Sequence, residues 1–402
     1  MLELLVQLGL SLAPKGLAKA KFSLSYLKEV AYVDRIDPAI SLEQILDKAE
    51  NNRFLSKNEI IYLLGIEKED ELQRIYEKAR ELRNRHFGNK IFLYGFVYFS
   101  TWCRNDCAFC YYRKSNEGSK RYRKSNREIM DTVMGLTESG VHLIDLTMGE
   151  DPKYYMNSSG FKPLFELIAD IKSQTKLPVM ISPGLASEEN LTKFQAFGAD
   201  WYACYQETHN EKLFNILRLE QSYEERFQSK LKANAAGLLI EEGILTGVGE
   251  TPGDIAHSME CMRYLGANQV RVMSFVPQSG STMESWPQAP RGQEIKIIAI
   301  LRLVFPDKLI PASLDIDGVE GLQERLDAGA NVITSIIPPE AGLAGVAQCS
   351  KDINEGYRTV QGITPVIEAM GLRKATTAEY RAWVDSEKSK TAMKWQKSGA
   401  VI

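Results

Sequence analysis

The 402-residue sequence has no stretch suited to crossing a membrane and no broad field of one charge. Its formal net charge is −3 and its pI is near 6.0, a balance that gives nucleic acid or an acidic membrane nothing to bind, although short basic runs such as Lys120 to Lys124 occur. The leucine-rich opening from Met1 to Leu12 fails as a targeting or spanning segment: Glu3 and Gln7 interrupt it, no basic residue precedes it, and it is too short for a bilayer. Cysteine is scarce. Three of the six cysteines fall in one loop, which fits a reducing cytoplasm better than a disulfide framework. A glycine-rich dinucleotide fingerprint is missing after the first strand-like run, where cysteines stand instead.

That loop is Cys103-Arg-Asn-Asp-Cys107-Ala-Phe-Cys110, followed by Tyr111 and Tyr112. Three thiols can hold three irons of a cubane cluster and leave the fourth iron open. Structural zinc closes at four ligands, and the nearest downstream candidates for a fourth, His142 and Cys204, fall on other elements. A zinc knuckle or a chance group of buried thiols is the alternative. The pattern resembles the radical S-adenosylmethionine (SAM) enzymes, in which the methionine part of SAM chelates the open iron and reductive cleavage yields a 5′-deoxyadenosyl radical.

Residues 1–40 read as an extension of unknown role, and residues 41–87 as a helical lead-in, with capping-box openings at Ser41 and Ser56. Leu72, Ile75, Tyr76, Ala79 and Leu82 then fall on one helical face. From residue 91 the text alternates short β-rich runs with amphipathic helices, two of which open on capping boxes at Ser125 and Thr208. The strand-like runs are Ile91–Thr101, His142–Met148, Pro178–Ser182, Asp200–Gln206, Gly243–Val248, Val270–Phe275, Leu309–Leu314 and Asn331–Ile336. Eight βα units predict an α/β fold, a closed (β/α)8 TIM-type barrel over residues 88–371 with an N-terminal helical extension and a C-terminal tail over 372–402. An open doubly wound sheet is the competing arrangement.

In a barrel, chemistry gathers at the C-terminal strand ends. Tyr111, Glu150, Ser182, Glu207 and Arg218 offer donors and acceptors for the zwitterion, ribose and adenine of SAM, although Tyr111 and Tyr112 also read as rim packing. Asp145, Arg271, Ser313 and Asp315 remain. One guanidinium for a carboxylate and two carboxylates for ammonium groups match a basic amino acid. The same residues also read as a buried ion-pair network, with Arg271 on Asp315, closing the barrel mouth. His86 and His257 read as helix-surface or packing residues, His142 as a residue of the barrel bottom, and Cys204, Cys261 and Cys349 as scattered small hydrophobes.

Longer strings carry a closer resemblance: Tyr98 to Thr101 with the cysteine loop, Asp145 to Pro152, Met180 to Gly184, Tyr205 to Thr208, Arg271 to Met273, Leu309 to Asp315 and Gly329 to Val332. They resemble the methylornithine synthases, radical SAM mutases of pyrrolysine biosynthesis that are similar to biotin synthase and to the hydrogenase-maturation radical enzymes. The match covers most of residues 87–370 and departs at Glu242, where the family's pattern has aspartate. The resemblance implies a 4Fe–4S cluster on Cys103, Cys107 and Cys110, with SAM on the open iron near Tyr111, Glu150, Ser182, Glu207 and Arg218. It places L-lysine on Asp145, Arg271, Ser313 and Asp315. The implied reaction converts lysine to (3R)-3-methyl-D-ornithine by radical fragmentation and recombination of the carbon skeleton. An external electron donor is implied; nucleic acid and membrane are not. Sulfur insertion, the competing enzyme reading, needs an auxiliary cluster whose cysteines the scattered remaining thiols do not readily supply. A cluster-bearing electron carrier is the competing non-enzymatic one.

Overall fold

A computed structural model describes residues 40–156, 159–338 and 357–398. Among the described residues eight barrel strands follow the chain, β1 Lys90–Ser100, β2 Leu143–Met148, β3 Val179–Ser182, β4 Trp201–Ala203, β5 Leu239–Thr246, β6 Gln269–Ser274, β7 Pro311–Ser313 and β8 Val332–Ile336, and a ninth strand of two residues, Arg373–Lys374, pairs with β1 outside that set. Every ladder among them is parallel. Their order around the sheet is β6-β5-β4-β3-β2-β1-β8-β7, and the ends meet where Val270 donates its N–H to the Leu309 carbonyl at 3.0 Å. Pairing of β8 with β1 makes the sheet a barrel and removes the open doubly wound alternative.

The sequence pattern located the strands but misplaced the start of one. β5 begins at Leu239, four residues before the expected Gly243, because Glu241 and Glu242 interrupt the apolar run. Both are buried. Successive strand residues point to opposite faces, so Glu241 enters the barrel while Glu242 turns outward to an ion pair with Lys230 on the helix Tyr223–Ala235. The expected capping boxes form at Ser56 and Ser125. Ser41 caps its helix through the Gln44 N–H. Thr208 does not cap: the helix Glu211–Leu217 starts on Asn210, whose side chain accepts from Lys212 and Leu213 N–H. Thr208 stands two residues before that cap, and its Oγ1 accepts the Asn210 N–H at 3.2 Å instead.

The lead-in helices Leu42–Glu50, Lys57–Leu64 and Glu69–Phe87 pack on the barrel's outer wall. The helix Thr377–Ser398 crosses beneath the strands, where Tyr380 is fully buried with its hydroxyl 2.8 Å from that of Tyr94, and Trp383 stacks on Trp201 at 5.9 Å. His142 lies at this bottom end. Its Nδ1 accepts the Leu93 N–H at 2.8 Å and its Nε2 meets the Ala375 carbonyl at 2.7 Å, while burial lowers its pKa to about 4, so it is a neutral packing residue. Among the described residues no helix is long and apolar enough to cross a membrane.

Candidate active site

With the bottom sealed, chemistry is left to the opposite mouth, where a cavity of about 220 Å³ opens. Cys103, Cys107 and Cys110 all border it, on the loop that follows β1. The loop is tied down through its backbone. Arg104 N–H bonds to the Glu150 carbonyl at 2.9 Å, Ala108 N–H to the Leu217 carbonyl at 2.8 Å, and the Arg121 guanidinium donates to the carbonyls of Thr101, Tyr112 and Arg113. Gly149 closes the far side. A Cβ there would collide with the Trp102 carbonyl and stand 3.0 Å from Cys103 Cβ, so only glycine lets the β2 turn approach the cysteine loop.

Burial raises the Cys103 and Cys110 thiol pKa values, and at Cys110 the other two cysteines raise it further. A cationic group between the cysteines would offset that penalty and favour the thiolate forms. Among the described residues no three Cys, His, Asp or Glu side chains converge on one metal ion. Gln221 Nε2 lies 3.1 Å and Arg218 Nη1 3.6 Å from Cys107 Sγ, supplying donors to that sulfur.

Glu150, Ser182, Glu207 and Arg218 border the cavity as well. Glu150 accepts from Arg104 at 3.0 Å, Leu185 N–H at 3.0 Å and Arg226 at 3.3 Å. Burial pushes its pKa up, but Arg226, the Leu185 amide and Arg104 outweigh that and hold it below the ordinary value. Glu207 takes a left-handed φ of 67°, fixed by backbone bonds to β5 on both sides, and its carboxylate meets Arg218 at 2.5 Å. Ser182 Oγ is 3.4 Å from the Ala203 carbonyl. Tyr111 stands apart. It packs with Phe96, Tyr98 and Tyr112, and Asn116 holds its carbonyl at 2.8 Å.

The second set occupies the barrel interior. Asp315 borders the cavity and accepts from Arg358 at 2.7 Å and from Ser335 at 2.9 Å, while Ser313 Oγ lies 3.4 Å from Ser335 Oγ. Asp145 and Arg271 sit just beneath the wall, bonded to Thr147 and contacting Tyr205 and Met273, which form it. The expected alternative pairing of Arg271 with Asp315 does not occur. Arg271 Nε instead meets Glu241 at 2.6 Å, and Tyr205 donates to the same carboxylate at 2.9 Å. Burial, then the Glu241 charge, raises the Asp145 pKa to about 7.

Sequence reasoning missed Glu241, Arg226 and Arg358. The first two carried a signal, since a carboxylate inside a strand and an arginine beside Ser229 and Lys230 on a helix's inner face are both charges placed where burial is due. Arg358 carried none. Cys204, expected to be mere packing, also borders the cavity, whereas Cys261 lies on an outer helix with Sγ 3.6 Å from His257 Nε2. Cys349 and the extension 1–39 lie outside the described residues.

The Radical SAM superfamily model matches residues 97–262, the span from β1 into the helix after β5. The 3-methylornithine synthase of Methanosarcina acetivorans is 44% identical over 81% of this chain and 92% of its own length. The chain belongs to the 3-methylornithine synthase family. The enzyme of that name from Methanosarcina barkeri is 42% identical over 84% of this chain and 95% of its own. A crystal structure of methylornithine synthase (PylB) superposes with a TM-score of 0.80 at 41% identity, covering 84% of this chain and 99% of that one. The [FeFe] hydrogenase maturase subunit HydE of Thermotoga maritima is a more distant relative, 28% identical over 72% of this chain and 82% of its own length.

Proposed function

We propose that this chain isomerises L-lysine to (3R)-3-methyl-D-ornithine for pyrrolysine biosynthesis, in a reducing cytoplasm. In this reading a 4Fe–4S cluster rests on Cys103, Cys107 and Cys110, and SAM lies along Glu150, Ser182, Glu207 and Arg218. The reading rests on one juxtaposition: the three thiols and Asp315 border a single cavity, and Asp145 and Arg271 lie directly beneath it. When bound, the cluster and SAM supply the one-electron chemistry, reductive opening of the sulfonium and hydrogen-atom abstraction from the substrate.

The protein's part is to hold both ends of a carbon skeleton that breaks and rejoins. Arg271 has its Nε on Glu241, which leaves its Nη edge for the substrate carboxylate. Asp315, with one oxygen on Arg358 and the other on Ser335, retains lone pairs for an ammonium group, and Ser313 stands beside it. Asp145 takes the second ammonium group, oriented by its bond from Thr147. Phe109, Leu245 and Phe275 give the upper wall an apolar surface that keeps water from the reacting carbons.

Mass spectrometry of products from isotopically labelled lysine tests the proposal. The expected product is a branched isomer that keeps every labelled carbon. Cleavage of SAM without that isomer would overturn the lysine reading, and clearly more than about four irons per chain after anaerobic reconstitution would favour sulfur insertion instead.

A further inference from the structure

The loop from Cys103 to Lys124 carries seven basic residues and two acidic ones, on a chain whose net charge is −3. Three of those bases are matched: Arg104 by Glu150, Arg113 by Asp106 at 2.7 Å and Arg123 by Asp151 at 2.6 Å. Lys114, Lys120 and Arg121 have no carboxylate partner among the described residues. Arg121 spends its donors on main-chain carbonyls, so its charge stays beside the cysteine loop uncancelled. Lys114 and Lys120 are exposed and anchored to the same loop by their backbones. Lys114 N–H bonds to the Asn105 carbonyl at 2.8 Å, and the Lys120 carbonyl accepts from Thr101 Oγ1 at 3.1 Å.

The residue before Cys103 is Trp102, which leaves 44% of its surface in solvent, with the Arg123 guanidinium 5.8 Å from its ring. An exposed indole beside an arginine, on a loop that also presents Lys114 and Lys120 without carboxylate partners, has the composition of a contact surface, with an aromatic anchor and a charged rim that selects an oppositely charged partner. The same loop carries the three thiols.

We propose that this face docks an acidic, low-potential one-electron carrier protein that reduces the cluster, a proposal that rests on the cluster reading above. One electron leaves the carrier, which is oxidised, and enters the cluster, which is reduced; no bond forms and no proton moves. Transfer weakens steeply with distance, and Trp102 is one peptide bond from a cluster ligand. A brief, small, charge-steered encounter suffices, because the carrier must leave after each delivery.

The test uses the reconstituted protein with two reductants, a reduced plant-type 2Fe–2S ferredoxin and dithionite, following bleaching of the cluster by stopped-flow absorbance and ferredoxin affinity directly. In Lys114→Glu/Lys120→Glu the ferredoxin-driven rate and the affinity should fall about tenfold at low salt. Their salt dependence should flatten, while the dithionite rate stays unchanged. Trp102→Ala should slow ferredoxin alone. An unchanged ferredoxin rate in the charge reversal, or an equal fall with both reductants, overturns the docking proposal while leaving the cluster intact. Absence of iron and of bleaching by either reductant overturns the cluster reading, and the docking face with it.

Discussion

Lysine should bind about tenfold more tightly at about pH 8 than at about pH 6, and Asp145 is the reason. Its carboxyl has an ordinary pKa of 3.8, raised to about 7 chiefly by burial and next by Glu241, against the opposing pull of the Thr147 hydroxyl and of Arg271. With that midpoint about one tenth of the carboxyl is ionised at about pH 6 and about nine tenths at about pH 8, while both lysine ammonium groups stay charged throughout. An ammonium ligand needs the ionised form, so affinity follows that fraction and binding releases a proton below the midpoint. The sign for stability is opposite. A carboxyl whose folded pKa is raised costs the fold nothing below its unfolded value and progressively more as pH rises to about 7, about 4 kcal/mol in all.

Calorimetry with lysine in buffers of different ionisation enthalpy measures both the affinity and the released proton. Asp145→Asn should bind lysine weakly with no pH dependence, and should be more stable than the parent protein above pH 7. Glu241→Gln should lower the Asp145 midpoint and flatten the rise between about pH 6 and about pH 8, with a higher KM because Arg271 loses its orienting partner. An affinity that stays flat over this range in the parent protein, or that keeps its slope in Asp145→Asn, would refute the reasoning.

Alanine at any one of Cys103, Cys107 or Cys110 should abolish 5′-deoxyadenosine formation, checked by chromatography of the nucleoside after reduction with SAM and lysine. Gly149→Ala should lower the iron content on reconstitution with the barrel still folded, because the added methyl group collides with main-chain atoms of the cysteine loop; iron analysis and circular dichroism separate the two effects. Tyr380→Ala should cost about 3–5 kcal/mol in chemical denaturation, from the lost ring packing together with the Tyr94 hydroxyl bond.

The barrel was legible because its signals are local. Each strand of a parallel barrel is buried on both faces and reads as an apolar run, and each outer helix shows an apolar stripe with a recognisable start. The cysteine loop was legible for the same reason, its three thiols being packed into eight consecutive residues. Where local signals fail, so did the reading. Two acids inside β5 made the strand look as though it began only after them, and a threonine two residues early looked like a cap.

The sequence by itself determined the (β/α)8 architecture, the thiol loop after β1 and the set of charged strand-end residues, because each is written in neighbouring positions whose periodicity or spacing has few physical solutions. Only the tertiary structure decided which charge meets which. Arg271 pairs with Glu241 and not with Asp315, Asp315 takes Arg358 from beyond the last barrel strand, and Glu150 joins two arginines from separate elements. Ion pairs form between side chains that the closed barrel brings together from distant parts of the chain. Their energies depend on burial and distance, neither of which is local to the sequence.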